Sequence, residues 1–264
     1  MLVKRIISSI ALIGVLLATI FVDWLCGILV TLFIVGGLYE FFTMLQKKGI
    51  SIYKYFGIGM GTLIPLSITF RFEPTKKWEL LFAILALLFL ILMQFRRREN
   101  SGAVIGISTT IFGILYVAWF LSFMIKVRYL AGGLSLFTAV LLITKLGDIG
   151  AYLVGTRFGK HPLIPRISPK KSVEGAVGGL FFSILGAFAS RPFLNLPYLY
   201  LAFIGICLGL LGQLGDLFES LMKRDCGIKD SGSIFPGMGG ALDLIDSLLF
   251  TTPAFYFFMS SILK

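Results

Sequence analysis

Histidine, cysteine and charged residues are scarce in this sequence. Its 264 residues include one histidine and three cysteines, and only 14% of them are charged. The single histidine, His161, excludes metal sites and mechanisms that need two. Cys26, Cys207 and Cys226 form no CxxC pair, so we expect neither a disulfide framework nor a zinc cluster.

The shortage of charge is matched by an excess of apolar residues. Hydrophobic residues make up 57% of the chain and the mean hydropathy is +0.94, whereas soluble domains carry about 25% charged residues. Apolar runs of about 20 residues are typical of transmembrane helices. The sequence therefore predicts an all-α, polytopic integral membrane protein with about nine transmembrane helices. The predicted helices cover residues 6–22, 24–45, 52–70, 78–95, 103–125, 134–154, 175–190, 197–217 and 241–262.

Acidic residues are fewer than basic ones. There are 13 Asp and Glu against 24 Lys and Arg, a formal net charge of +11. Such an excess in a soluble protein suggests nucleic acid, but lysine and arginine also accumulate in the cytoplasmic loops of membrane proteins, and we expect no nucleic-acid partner. With a cytoplasmic N-terminus and nine spans, the cytoplasmic segments hold more than twice as many basic residues as the opposite side. We therefore predict a multi-pass protein of the cell inner membrane, with the polar loops 155–174 and 220–240 both facing the cytoplasm.

The chain divides into two regions by chemistry. Residues 1–130 are interpreted as a scaffold of transmembrane helices that provides lipid access or oligomer contacts. Its one unusual carboxylate is Glu40, near the end of the second predicted helix; a functional role and simple access to interfacial water are equally open. Residues 131–264 carry both polar loops and form the predicted catalytic region.

Two pairs of acids mark the polar ends of the last two predicted helices. Asp216 and Glu219 are three residues apart and share a helical face with Lys223. Asp243 and Asp246 repeat this spacing. One interpretation is a network of salt bridges with nearby cations. We favour a bound metal ion, because clustered acids near hydrocarbon repel one another unless a cation lies between them. Oxygen ligands without histidine or thiolate suit Mg²⁺.

A basic, glycine-rich segment follows the sixth predicted helix. Near the end of that helix, Lys145 and Asp148 are spaced to form an ion pair. From Gly155 to Gly179 the sequence reads GTRFGKHPLIPRISPKKSVEGAVGG, in which glycines let backbone approach a ligand and cations supply positive charge. Ser172 is suited to cap the next helix, whose N-terminus favours anions. The pattern indicates a site for phosphate groups.

These motifs resemble the signature of the phosphatidate cytidylyltransferase (CDP-diglyceride synthase) family. The resemblance covers about residues 145–250. The matching residues are Asp148 with Ala151, Tyr152 and Gly155, then Ser168-Pro-Lys-Lys-Ser172 with Glu174 and Gly175, then Ser220-Leu-Met-Lys-Arg224, Lys229-Asp230, Pro236-Gly-Met-Gly-Gly240, Asp243 and Asp246. Two positions depart: Met238 stands where the family usually has His, and Leu244 where it usually has Arg.

The resemblance implies transfer of a cytidylyl group from CTP to phosphatidic acid, forming CDP-diacylglycerol and pyrophosphate in phospholipid biosynthesis with Mg²⁺. It implies CTP, phosphatidic acid and the lipid bilayer as partners, and leaves a homodimer open. The expected metal ligands are Asp216, Asp243 and Asp246, with Asp148 as a further contact. The expected catalytic residues are Asp216, Asp243, Asp246, Lys223 and Arg224. The expected substrate-binding residues are Lys170, Lys171, Ser172, Lys223, Arg224, Lys229, Gly237, Gly239 and Gly240.

Two other activities fit part of the pattern. A CTP-dependent kinase acting on a polyprenol or diacylglycerol would use similar membrane acids and cations, but it would release CDP instead of pyrophosphate. A cation-coupled transporter could use the acids as an ion path, without any dependence on CTP. The glycine-rich basic segments argue against the transporter, because an ion path does not need them.

Overall fold

The structure, a computed structural model, describes residues 22–72, 78–97, 101–235 and 239–263. Within these ranges it consists of helices and one short hairpin. The helices are α1 Asp23–Lys47, α2 Lys54–Thr69, α3 Trp78–Phe95, α4 Ala103–Gly113, α5 Phe120–Arg128, α6 Gly133–Phe158, α7 Val173–Ala189, α8 Arg191–Leu194, α9 Tyr198–Asp225 and α10 Ala241–Ile262. A π-helical turn, Ile114–Trp119, joins α4 to α5, and the hairpin strands are β1 Pro162–Ile164 and β2 Ser168–Ser172.

Six of the described helical segments are long and apolar enough to cross a membrane, judged by length and composition. They are Trp24–Lys47, Trp78–Phe95, Ala103–Arg128, Gly133–Phe158, Tyr198–Asp225 and Ala241–Ile262. The predicted all-α, polytopic membrane architecture is thereby confirmed. The predicted span 6–22 lies outside the described residues. The spans predicted at 52–70 and 175–190 correspond to α2 and α7, which have only 16 and 17 residues. The count of nine spans and the cytoplasmic N-terminus stay predictions.

The two segments predicted as loops are more ordered than expected. In the segment 155–174, α6 continues to Phe158 and an antiparallel hairpin follows, with Pro162 opposite Ser172 and Ile164 opposite Ser168. In the segment 220–240, α9 continues to Asp225, so the basic pair Lys223 and Arg224 belongs to a helix. Lys170 and Lys171 are therefore presented by a strand, and Lys223 and Arg224 by a helix.

Contacts group the chain into two compact units. The first runs to Ile125 and also includes Cys226–Asp243, and the second comprises Lys126–Asp225 and Leu244–Lys264. The predicted regions 1–130 and 131–264 place Cys226–Asp243 differently. Hydrophobic periodicity could not have revealed this placement, because the segment is polar and rich in glycine.

The core of the first unit forms around α1. Ile34, Leu38 and Phe42 on this helix are fully buried. Two glycines of α2 face this row, so that a side chain at Gly57 would meet Phe42 and one at Gly61 would meet Leu38. Small residues at such positions allow apolar helices to approach closely, which is how helices commonly pack in membranes.

The second unit uses the same kind of packing between α6, α7 and α9. A side chain at Gly147 of α6 would meet the hydroxyl of Ser183 on α7. A Cβ at Gly205 of α9 would lie 2.7 Å from the Cα of Ile184 on α7, and one at Gly209 would lie 2.9 Å from the Cβ of Ser183. These close approaches fix α9, which carries several of the predicted site residues, against the rest of the unit.

Gly205 provides a test of this packing. A Cβ at this position meets backbone, which cannot rotate away, so we expect Gly205→Ala to cost about 1–3 kcal/mol through overpacking. The matched control is Gly59→Ala on α2, where no heavy atom lies within 4 Å of the added Cβ. There alanine should be neutral or slightly stabilising, since it is the better helix former. Thermal unfolding in detergent measures both, and equal melting temperatures for the two variants would contradict the packing described.

Candidate active site

Three carboxylates of the second unit form the centre of the candidate site. Asp216 and Glu219 lie on α9 and Asp246 lies on α10; one oxygen from each falls within 4.8 Å of the others. Glu219 is fully buried and Asp246 is only 8% exposed. The structure thus brings together Asp216 and Asp246, both predicted as metal ligands, and adds Glu219. The signal for Glu219 was present in the sequence, since it lies one helical turn after Asp216.

Two lysines compensate the charge of these acids. Lys223 Nζ lies 2.5 Å from Glu219 Oε2, one turn along α9, and the Lys223 side chain is only 12% exposed. Lys171 Nζ, from the hairpin, lies 2.6 Å from Asp216 Oδ1. Because an unpaired charge is costly to bury, the pair with Lys223 allows Glu219 to persist in an apolar surrounding, whereas the Asp216 side chain is 40% exposed. Lys171 and Lys223, both predicted to bind phosphate, therefore lie next to the acids.

Asp148 has a different set of partners within the second unit. Its Oδ2 lies 2.9 Å from Lys145 Nζ and accepts a hydrogen bond of 2.9 Å from the Ser247 hydroxyl. Lys145 also donates to the backbone oxygen of Leu244 at 3.3 Å and lies 3.2 Å from the Ser247 hydroxyl. The predicted ion pair between Lys145 and Asp148 is confirmed, and it ties α6 to the segment that carries Asp246.

A cavity of about 370 Å³ opens beside Asp216. Acids and bases line it together: Asp148 and Asp216 on one hand, and Lys170 and Lys171 on the other. Ser172, also among its lining residues, accepts a 3.1 Å hydrogen bond from the Gly175 N–H and caps α7, as predicted. A cavity with lysines and carboxylates in one wall is suited to an anionic ligand that also brings a cation.

Arg224 connects α9 to the hairpin. Its Nε donates to the backbone oxygen of Ile167 at 3.2 Å. Ile167 lies in the turn between β1 and β2, and only 8% of its surface is exposed. The Ile167 N–H in turn donates to Ile164 at 3.0 Å, which closes the turn. Arg224 therefore positions the turn before β2, the strand that carries Lys170 and Lys171. Lys229, predicted to bind substrate, is exposed in the polar segment after α9.

The glycine-rich segment before α10 uses its backbone groups internally. Asp243 Oδ2 accepts the Gly240 N–H at 2.7 Å and the Ser231 N–H at 3.2 Å. The Gly239 N–H donates to Phe235 at 3.2 Å, with Gly239 at a φ of 104° that favours glycine. Phosphate contacts through these N–H groups were predicted, whereas here both groups have partners in the first unit. Gly237 and Met238 lie outside the described residues.

Glu174, at the start of α7, binds the backbone just before β1 of the hairpin. Its Oε2 accepts the N–H groups of Lys160 and His161 at 3.0 and 3.2 Å, and its Oε1 lies 2.6 Å from His161 Nδ1. The hydrogen bond from the Lys160 backbone, followed by that from the His161 ring, lowers the pKa of Glu174 from 4.5 to about 2. Glu174 was noted in the sequence only as part of a motif, and its partners show a role in shaping the loop.

These features define an α-helical, multi-pass membrane protein with a cation-lined cavity next to a carboxylate cluster, suited to phosphorylated ligands. The chain belongs to the cytidylyltransferase family, whose model matches residues 3–262. It is 34% identical over 288 residues to a phosphatidate cytidylyltransferase of Synechocystis sp., covering 97% of this chain and 96% of the relative. Proteins of the same name are 34% identical in Bacillus subtilis, over 84% of each chain, and 39% identical in Staphylococcus aureus, over 65% of this chain and 66% of the relative.

The contacts of Glu174 generate a test of the hairpin. A carboxyl whose pKa is lowered on folding stabilises the fold above its ordinary pKa of 4.5 and ceases to do so as the pH falls toward about 2. At neutral pH its contribution is therefore complete. We expect Glu174→Ala to loosen the hairpin, so that trypsin cleaves after Arg166 and Lys170 faster than in the wild type. Glu79→Ala is the control, since Glu79 lies in α3 of the first unit; equal cleavage rates in both variants would contradict the role given to Glu174.

Proposed function

We propose that this protein transfers a cytidylyl group from CTP to phosphatidic acid, forming CDP-diacylglycerol and pyrophosphate. The observation that carries the proposal is the cavity lined by Lys170, Lys171 and Asp216, next to the cluster of Asp216, Glu219 and Asp246. Joining two polyanions requires dense positive charge to overcome their repulsion. Membership of the family and the names of the relatives supply the substrates.

The proposed reaction needs little acid–base chemistry from the protein. A phosphate monoester has a second pKa near 6, so an oxygen of phosphatidic acid is already ionised at neutral pH. This oxygen attacks the α-phosphorus of CTP; the new P–O bond forms as the bond to the bridging oxygen of the β-phosphate breaks, and pyrophosphate leaves with the electron pair. Lys170, Lys171 and Lys223 hold the phosphate groups and stabilise the charge that accumulates on them. Holding and neutralising two anions suits a chain with a single histidine.

We propose Mg²⁺ as the cofactor, held by Asp216, Glu219 and Asp246. The donor set fits this ion, because it offers three carboxylates within 4.8 Å of one another and hard oxygen donors suit Mg²⁺. When bound, the ion would withdraw charge from phosphate oxygens. Asp148 and Asp243, also predicted as ligands, receive positioning roles in this proposal, since neither belongs to the group of carboxylates within 4.8 Å of one another and each holds neighbouring groups in place.

The orientation and assembly of the protein also belong to the proposal. We place the active site on the cytoplasmic side of the cell inner membrane, where CTP is available, and the excess of basic residues in the predicted cytoplasmic segments supports this orientation. The proposed assembly is a homodimer, which a mass measurement in detergent would test.

Asp246→Asn tests the role of the carboxylate cluster. Asparagine has nearly the same shape and keeps an oxygen to accept the Ser247 N–H, which donates to Asp246 at 2.5 Å, so the variant should fold. We expect formation of CDP-diacylglycerol to fall to about one per cent of the wild-type rate or less, the scale of losing one electrostatic group in a preorganised site. The control, Asp225→Asn, makes the same change at an exposed position at the end of α9 and should remain active. Near-normal turnover by Asp246→Asn would remove Asp246 from the site.

A further inference from the structure

Glu40 is a buried acid in the first unit that the proposed mechanism does not use. It lies on α1, seven residues before the helix ends, and is only 3% exposed. Of the two interpretations left open by the sequence, access to interfacial water does not fit such burial.

The carboxylate of Glu40 binds the beginning of α10. Its Oε2 accepts the N–H of Leu242 at 2.9 Å and the hydroxyl of Ser231 at 3.0 Å. Leu242 is the second residue of α10, and the first N–H groups of a helix have no partner inside it. A side chain directly before the helix commonly supplies the missing acceptor. Here an acid from a different helix supplies it, and its negative charge also suits a helix N-terminus.

The residue before α10 explains why the acceptor comes from elsewhere. This residue is Gly240, which has no side chain to cap the helix. Asp243, the third residue of α10, accepts the Gly240 N–H at 2.7 Å, which is one half of a capping box. Glu40 provides the other half. Both acids are thus needed to bind the N–H groups of Gly240 and Leu242 at the start of the helix.

Two glycines leave the space that Glu40 occupies. A Cβ at Gly240 would collide with Oε2 of Glu40 and with the Ser231 hydroxyl, and a Cβ at Gly232 would collide with Oε1. Gly240 does not have a positive φ, so the need for glycine here is one of space and not of backbone conformation. Gly240 was predicted to bind phosphate, whereas its contacts indicate room for an acid.

We propose that Glu40 is a positioning residue for cytidylyl transfer: it caps α10 from α1 and so fixes the helix start that carries Asp243 and, one turn later, Asp246. The inference rests on the proposed function, because Asp246 is assigned to the active site. Glu40 itself touches neither substrate nor reacting atoms. Its effect passes through the backbone of α10.

A cap requires an oxygen acceptor, whereas a metal ligand or a general base requires a charge. Glu40→Gln retains an acceptor for the Leu242 N–H, and Glu40→Leu removes it at similar volume. We therefore expect kcat to stay within about threefold of wild type for the first variant and to fall about tenfold or more for the second, as the loss of a cap allows. The KM for CTP should be unchanged in both. Glu79→Gln and Glu79→Leu are the matched controls and should retain wild-type kcat.

A double variant tests the cap more sharply. Gly240→Ser alone should lower kcat, because its side chain collides with Glu40, and Glu40→Ala alone should lower it because the acceptor is lost. In the combined variant, Glu40→Ala with Gly240→Ser, the serine occupies the vacated space and can cap α10 from the usual position. We expect the combined variant to recover activity above either single variant. Hydrogen exchange of the amides at 241–246 should be faster in Glu40→Ala and slower again in the combined variant, a readout that does not depend on turnover.

The outcomes separate this inference from the proposed function. A tenfold loss in Glu40→Gln equal to that in Glu40→Leu would overturn the cap, as would wild-type kcat and wild-type exchange in Glu40→Leu. Additive losses in the combined variant would also overturn it. If Glu40→Leu cannot be purified as a monodisperse protein, Glu40→Gln and the combined variant still decide between these results. A wild-type protein that forms no CDP-diacylglycerol would refute the proposed function instead, and the exchange measurement would still test the cap.

Discussion

Charge compensation inside apolar helices is the constraint on which the rest of this structure depends. Glu219 is fully buried on a helix apolar enough to cross a membrane, and moving an isolated carboxylate from water into such surroundings costs several kcal/mol. Lys223, one turn away at 2.5 Å, offsets that cost. Removing one partner of a buried pair leaves the other charge uncompensated, which typically costs about 3–5 kcal/mol. The pairing therefore requires α9 to remain helical as far as its basic end.

The same requirement gives the hairpin its place beside the acids, because the hairpin carries Lys171. Lys171 reaches Asp216 at 2.6 Å only because β2 presents it there, and β2 is held in turn by Arg224 and by the cap at Ser172. In this second pair, acid and base thus come from different elements of the second unit. The proposed reaction would bring polyanions and Mg²⁺ to this site, and in their absence these ion pairs keep the charged groups neutralised by neighbours.

The helices were predictable because a helix that crosses a membrane needs about 20 mostly apolar residues, and such runs are visible in the sequence. The segments 78–95 and 241–262 begin and end in the structure where the sequence placed them. The apolar run of α9 ended at residue 217, but the helical face shared by Asp216, Glu219 and Lys223 already indicated that the helix continues into its basic end. The hairpin was missed because strands of three and five residues, with proline and lysine in them, have no recognisable period.

In the site, equal spacing of Asp216 with Glu219 and of Asp243 with Asp246 could not show which acids form a cluster. Which acids cluster depends on contacts in the folded chain, such as the hydrogen bond from the Gly240 N–H to Asp243. The contact of Glu40 with the Leu242 N–H likewise joins residues far apart in the sequence, so it could not be predicted.

The central claim is that the second unit transfers the nucleotide and not the terminal phosphate of CTP. The most direct measurement uses purified protein in detergent with phosphatidic acid, Mg²⁺ and CTP labelled at either the α- or the γ-phosphate. We expect the α-label to enter the lipid and the γ-label to be released in pyrophosphate. Transfer of the γ-label to a lipid, with release of CDP, would contradict this claim.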